Sequence, residues 1–218
     1  MSNAADTRER LLESAQTLFA REGVYRVPLR RIVEHAGQRN ASALHYYFGG
    51  RDGLLREIIR RHDKRVRAER RQFLEEIDAS GEQPDLRRLV EAFVVPVSSE
   101  LLTEGGRDYL RIVSQLSMLF DYWDVSLPRG PTETQQMFHA MEEELSEFAP
   151  SVRHLRIATL LGLVTDALAA RARRLDREPA AAPPLLDHDM FVSNLMDMAL
   201  GAFSAPSTIV RVDGPASR

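Results

Sequence analysis

Leu29-Arg30-Arg31-Ile32-Val33-Glu34-His35-Ala36-Gly37-Gln38-Arg39-Asn40-Ala41-Ser42-Ala43-Leu44-His45-Tyr46-Tyr47-Phe48 is the stretch that decides the fold. Leu29, Ile32, Val33 and Ala36 recur at helical spacing. Pro28 suits the first position of that helix, where a missing N–H costs nothing, and Gly37 ends it. A second short helix, about Ala41 to Tyr47, follows with Asn40 as its cap, and Gly49-Gly50 breaks it. Two short helices joined by a tight turn with a glycine match the helix-turn-helix arrangement. In that arrangement the second helix enters a DNA groove while the first crosses the backbone. Its outer face must then offer hydrogen-bonding groups. Ser42, His45 and Tyr46 supply them, with Arg39 and Asn40 at the entry. Spacing alone fits an ordinary helical hairpin equally well.

Working outward, the chain reads as helix nearly throughout. A first helix spans Thr7 to Glu22, with Asp6 and Glu9 in a capping-box pattern and Leu11, Leu12, Ala15, Leu18 and Phe19 on one face. A long helix starts near Arg51 or Asp52 and turns Leu54, Leu55, Ile58, Ile59, Val66 and Phe73 inward. Beyond Gly81, helices are expected over Asp85 to Leu102, Arg107 to Trp123, Thr132 to Phe148, Ser151 to Leu175 and Asp187 to Phe203. Glu178 to Pro184 reads as a connector. Only Thr208 to Val212 resembles a strand, and it is short. The expected organisation is a head over 1–52, a helical body over 53–204 and a disordered tail over 205–218.

Composition narrows the class. The 218 residues are 44% hydrophobic, enough for a packed core. No apolar run approaches the roughly 18 residues that span a bilayer. Asp6-Thr7-Arg8-Glu9-Arg10 is mixed in charge, unlike an export signal, so a cytoplasmic location without membrane association is expected. The absence of cysteine excludes disulfides, thiolate metal sites and cysteine nucleophiles. The net charge of -3 hides an asymmetry: through Glu75 there are 16 Arg and Lys against 10 Asp and Glu. A basic head on an acidic body points to an anionic partner, although chance clustering on a solvated face gives the same counts.

The head also carries a family pattern. Arg10-Leu11-Leu12-Glu13-Ser14-Ala15, Leu18-Phe19-Ala20-Arg21-Glu22-Gly23, Arg31-Ile32-Val33-Glu34-His35-Ala36-Gly37 and Leu44 through Leu55 match in order and spacing. Over Thr7 to Leu55 the chain resembles the tetracycline-repressor (TetR) family of bacterial regulators. The resemblance implies an all-α fold: an N-terminal three-helix DNA-binding domain and a C-terminal helical ligand-binding and dimerisation domain. It implies double-stranded DNA with a palindromic operator as partner, a small effector, a homodimer and a repressor role. Arg30, Arg39, Asn40, Ser42, His45, Tyr46, Tyr47 and Arg51 are the implied DNA-contacting residues. Arg51 would clamp a phosphate at the start of its helix. The chain departs from the family at Pro28-Leu29, where a Thr or Ser hydroxyl is usual, and by one extra residue between Gly37 and Leu44.

In the body, Tyr109, Val113, Leu116, Phe120 and Trp123 cluster on or beside one helix, with Phe93, Phe138 and Met141 from neighbours. They read as the lining of an apolar effector pocket or as plain core. Asp166 stands in an otherwise apolar run and is either a polar anchor or an exposed edge residue. The small and apolar residues of the last two helices fit the pairing face that the resemblance implies. Asp187-His188-Asp189 lacks the spacing of metal ligands, and neither metal nor cofactor is expected. No phosphate-cradling glycine loop, Gly-x-Ser-x-Gly elbow or His-Glu-x-x-His zinc helix is present, so an enzyme is not expected. The rival reading is a helical protein-interaction adaptor without specific DNA binding.

Overall fold

The structure, a computed structural model, describes residues 2–38, 42–80, 85–117, 133–177 and 183–208. Among them the regular structure is helical, as expected. The helices are α1 (Ser2–Glu22), α2 (Leu29–His35), α3 (Ser42–Phe48), α4 (Arg51–Ser80), α5 (Leu86–Ser98), α6 (Glu104–Leu116), α7 (Glu133–Glu144), α8 (Pro150–Asp176) and α9 (His188–Phe203). A 3-10 turn, Ser99–Leu102, follows α5. The connector residues 178–182 and the tail from 209 onward lie outside the described residues.

Several boundaries differ from the sequence expectation, for local reasons. Helix α1 begins at Ser2, so Asp6 is not a cap but an interior residue paired with Arg10 one turn on, at 2.7 Å. Pro28 sits just before α2, in extended conformation, and not at its first position. Asp187 caps α9, its carboxylate accepting from the Met190 amide at 2.8 Å, which accounts for an acidic residue there without a metal.

The chain forms two compact units. The first gathers Met1–Glu69, Pro96–Phe120 and Thr165–Pro184; the second gathers Arg70–Val95, Asp121–Val164 and Leu185–Arg218. In the first, α1 packs against α2, α3 and α6. Leu11, Leu12, Ala15, Leu18 and Phe19 of α1 are buried with Ile32, Val33, Leu44, Phe48, Leu54 and Ile58. Each large apolar side chain so buried stabilises the fold by roughly 1.5–3 kcal/mol. Ile59 is only half-buried.

Polar residues cross this core as a connected group. Gln16 of α1 donates through Nε2 to the Gly105 carbonyl at 2.7 Å and sits 3.2 Å from His62 Nε2. His62 Nδ1 is 2.7 Å from the fully buried Glu100, which also meets Arg65 at 2.6 Å. The imidazole stacks on Tyr109, centroids 4.6 Å apart. Between α6 and α8, Arg111 bonds Asp108 at 2.7 Å and also holds Asp176, while Arg107 reaches Asp176 at 2.5 Å. Burial pushes the Asp108 carboxyl up against the pull of Arg111. Burial also acts to raise Asp176, but hydrogen bonds from Arg111 and Arg107 outweigh it and hold that carboxyl low.

The second unit has its own core, including Val90, Phe93, Met137, Phe138, Met141, Ile157, Leu160, Leu195 and Phe203. Phe73 of α4 is half-buried. Arg70 is buried, donating to the Ala92 carbonyl at 3.1 Å and the Thr134 hydroxyl at 2.6 Å, with its guanidinium 5.9 Å from the Phe93 ring centroid.

Candidate nucleic-acid interface

Helix α2 ends where the backbone reverses at Gly37, whose φ of +68° favours glycine. The Gly37 amide donates to the Glu34 carbonyl and the Gln38 amide to the Val33 carbonyl, both at 3.0 Å. These bonds satisfy the last carbonyls of α2 in a Schellman arrangement. Helix α3 ends at Gly49, φ +71°, whose amide returns to the His45 carbonyl at 2.8 Å. Between these two stops α3 is only 7 residues long and depends on tertiary packing. Leu44 and Phe48 supply it: Leu44 is fully buried and Phe48 is 8% exposed.

The i, i+3, i+4 spacing that buries one face turns Ser42, His45 and Tyr46 to the other, and all three are exposed. Tyr46 is 84% exposed, so its phenol is open to a ligand. Its ring meets Tyr47 edge-on at 5.1 Å, and the half-buried Tyr47 in turn meets Phe48 at 6.4 Å. The pair therefore divides, with Tyr46 presented outward and Tyr47 joining it to the core. Arg8 of α1 lies 5.2 Å from the Phe48 ring centroid and pairs with Glu57 at 2.7 Å. Hydrogen bonds from Arg60, against the opposing effect of burial, and then from Arg8 bring the Glu57 carboxyl down to about 2.

Two arginines expected to contact DNA have internal partners. Arg30 is exposed and pairs with Glu34 one turn on, at 2.8 Å. Arg51 points inward: its guanidinium donates to the Val24 carbonyl and, at 2.7 Å, to the Val27 carbonyl, 5.4 Å from the Phe19 ring centroid. Half-buried and so committed, it holds the α1–α2 turn, where the sequence suggested a phosphate clamp. Arg39 and Asn40 lie outside the described residues.

The same turn is held from a second side by a glutamine of α6. Gln115, near the end of α6, accepts from the Val24 amide at 2.8 Å and donates to the Phe19 carbonyl at 3.2 Å and the Arg111 carbonyl at 3.0 Å. One side-chain amide thus satisfies two groups left open where α1 ends. No local pattern signals it, because its partners lie 91 and 96 residues away.

The candidate effector residues fall in both units. Tyr109, Val113, Leu116 and Asp166 belong to the first; Phe93, Phe138 and Met141 belong to the second; Phe120 and Trp123 lie outside the described residues. Tyr109 is buried, whereas Val113 and Leu116 are half-buried. Phe93 and Phe138 meet at 5.7 Å in an edge contact and are buried, as is Met141. Asp166 is exposed and accepts from the Ser114 hydroxyl at 2.5 Å. Among the described residues no group of three or more His, Asp or Glu is placed to hold a metal ion, and no helix is long and apolar enough to cross a membrane.

Comparison with known proteins agrees with this architecture. The family of bacterial regulatory proteins, tetR family, matches residues 11–58, which run from α1 into α4. An uncharacterised HTH-type transcriptional regulator of Mycobacterium tuberculosis is 29% identical over 125 residues, spanning 53% of this chain and 64% of that relative's length. Among solved structures, NalD, the secondary repressor of the MexAB-OprM multidrug efflux pump in Pseudomonas aeruginosa, superposes with a TM-score of 0.55 at 20% identity. That likeness covers 92% of this chain and 98% of NalD. The probable transcriptional regulatory protein RHA5900 gives a TM-score of 0.51 at 18% identity, over 91% of this chain and all of that one. At such identities the structures establish a shared fold. The family match lies across the helix-turn-helix, so over residues 11–58 the chain is similar to the tetR family of bacterial regulatory proteins, and the solved structures extend that likeness to the fold of the whole chain.

Proposed function

We propose that the chain is a ligand-responsive repressor that binds a palindromic operator as a homodimer and is released by a small, largely apolar effector. The observation that carries the DNA reading is the two-faced α3. Leu44 and Phe48 fix it in the core, and Ser42, His45 and Tyr46 are exposed along its other side. Hydroxyl, imidazole and phenol groups suit base edges and phosphate oxygens. Arg30 and Tyr47 flank this face, and Arg39 and Asn40 precede it in sequence. Arg51 acts through the turn it holds.

Dimerisation is supported by apolar side chains exposed on α8 and α9. Leu155 is 64%, Met190 56% and Met198 57% exposed. Gly162 and Gly201, on the same two helices, have open space where a side chain would stand. A two-fold pair of recognition helices matches a palindromic site with half-sites about one DNA turn apart. For the effector, the buried Phe93, Phe138 and Met141 supply apolar and aromatic side chains in the second unit. Tyr109, Val113 and Leu116 do so in the first, with Asp166 as a polar group.

The test is an electrophoretic shift with DNA from upstream of the protein's own gene. Binding of one duplex in preference to unrelated sequence is expected. Equal binding of all duplexes refutes specific regulation, and no binding at low salt favours a protein-interaction adaptor. A thermal-shift screen with apolar compounds tests the effector, because a bound ligand raises the melting temperature by mass action.

A further inference from the structure

The turn between α1 and α2 is built to present two residues. Val24 and Val27 are each 1% exposed and anchor its ends in the core. The Arg26 and Val27 amides both donate to the Gly23 carbonyl, at 3.2 and 3.3 Å. The Val24 amide goes to Gln115, and the Val24 and Val27 carbonyls go to Arg51. Tyr25 and Arg26 lie between these fixed points and face outward. Tyr25 is 63% exposed, and Arg26 is exposed as well.

Arg26 differs from its neighbours. Arg21 pairs with Glu104, Arg30 with Glu34 and Arg31 with Glu22. The Arg26 guanidinium has no carboxylate partner among the described residues. The Tyr25 amide likewise has no acceptor among them, and its phenol is exposed. Two successive residues therefore hold out a guanidinium, a phenol and an amide, all of them donors, on a turn whose other amides are occupied. The turn leads directly into α2, the helix that crosses the DNA backbone in helix-turn-helix docking. Pro28, at the start of α2, has neither an amide hydrogen nor a side-chain bond to the helix.

We propose that Tyr25 and Arg26 form a further DNA contact, taking a backbone phosphate beside the duplex segment that α3 enters. This rests on the DNA-binding reading above. Phosphate oxygens are pure acceptors and suit the guanidinium and amide, which only donate, and the phenol, which can donate to them. The contact positions the protein without reading sequence. Arg51 and Gln115 are positioning residues for it, because they set the turn's backbone from behind.

The test measures affinity against salt for two labelled duplexes, one from the gene's own upstream DNA and one of unrelated sequence. Arg26→Gln is expected to lower the slope of log affinity on log salt by about 0.9 on both duplexes, and Arg26→Lys to restore it. Tyr25→Phe is expected to weaken both complexes up to about tenfold with the slope unchanged. These side chains are exposed, so melting temperatures should match the wild type and separate a lost contact from a lost fold. A wild-type slope in Arg26→Gln overturns the contact while leaving DNA binding by α3 intact. Weakened binding to one duplex only would make Arg26 a base reader and also overturn it. Failure of the wild type to bind either duplex overturns the DNA reading and this contact with it.

Discussion

Replacing Gly53 by alanine opposes two effects whose sizes can be compared. Gly53 lies in the first turn of α4, where alanine is worth about 1 kcal/mol more than glycine by helix propensity alone. A Cβ there would lie 1.6 Å from the Phe48 carbonyl oxygen, 2.7 Å from its carbonyl carbon and 3.3 Å from its Cα. A carbon normally approaches a carbonyl oxygen no closer than about 3.3 Å. The obstacle is backbone, so no side-chain rotation relieves it, and the α3–α4 junction must open by more than an ångström. Overpacking of this kind costs about 1–3 kcal/mol, and the severity of the overlap puts it at the upper end. The expected net loss is about 1–2 kcal/mol, read as a lower urea midpoint by circular dichroism. DNA affinity should fall as well, since Phe48 anchors the recognition helix. A variant as stable as wild type, or about 1 kcal/mol more stable, would refute the reasoning and show that the junction yields freely.

Gln115→Leu removes the acceptor of the Val24 amide and a donor to the Phe19 carbonyl. It should lower stability by about 1–2 kcal/mol and speed hydrogen exchange at Val24, and unchanged exchange would show that the turn holds without it. Glu57, with a folded value of about 2 against an ordinary 4.5, stabilises the fold above pH 4.5, and that contribution is lost as pH falls toward 2. Glu57→Gln should therefore lose less stability than wild type across that interval, and parallel melting curves would contradict the pairing with Arg60 and Arg8. Gly201→Ala places a methyl in open space on α9 and should stabilise a lone chain by about 1 kcal/mol. If a second copy covers this helix, sedimentation should instead show weakened association; unchanged association removes Gly201 from the interface.

Legibility in the sequence followed the range of the interactions. The turns at Gly37 and Gly49 and the stripe of Leu11, Leu12, Ala15, Leu18 and Phe19 depend on residues a few positions apart, and both were readable. So was the two-sided character of α3, because helical periodicity alone assigns Leu44 and Phe48 inward and His45 and Tyr46 outward. The partners of Arg51 were not legible, because a guanidinium suits a phosphate and a pair of carbonyls equally, and only the fold brings the Val24 and Val27 carbonyls within reach. Gln16, His62, Glu100 and Gln115 gave no local signal, since their partners are brought together by packing of helices distant in sequence. Glu100 beside Leu101 and Leu102 was the available hint: an acid in an apolar stretch, needing a partner if buried.

The α1–α2 turn borrows its rigidity from Arg51 and Gln115, and this bears on how the molecule can be recombined. A head excised at residue 50 would contain Val24, Tyr25 and Arg26 but neither side chain that shapes them. Grafted onto a different helical body, it would keep α3 and lose the mould for this turn. A chimera needs a guanidinium at the start of its fourth helix and an amide near the end of its sixth. On the proposed function, swaps that ignore those two positions should yield folded hybrids with weak DNA binding, and restoring the pair should recover it without any change to α3.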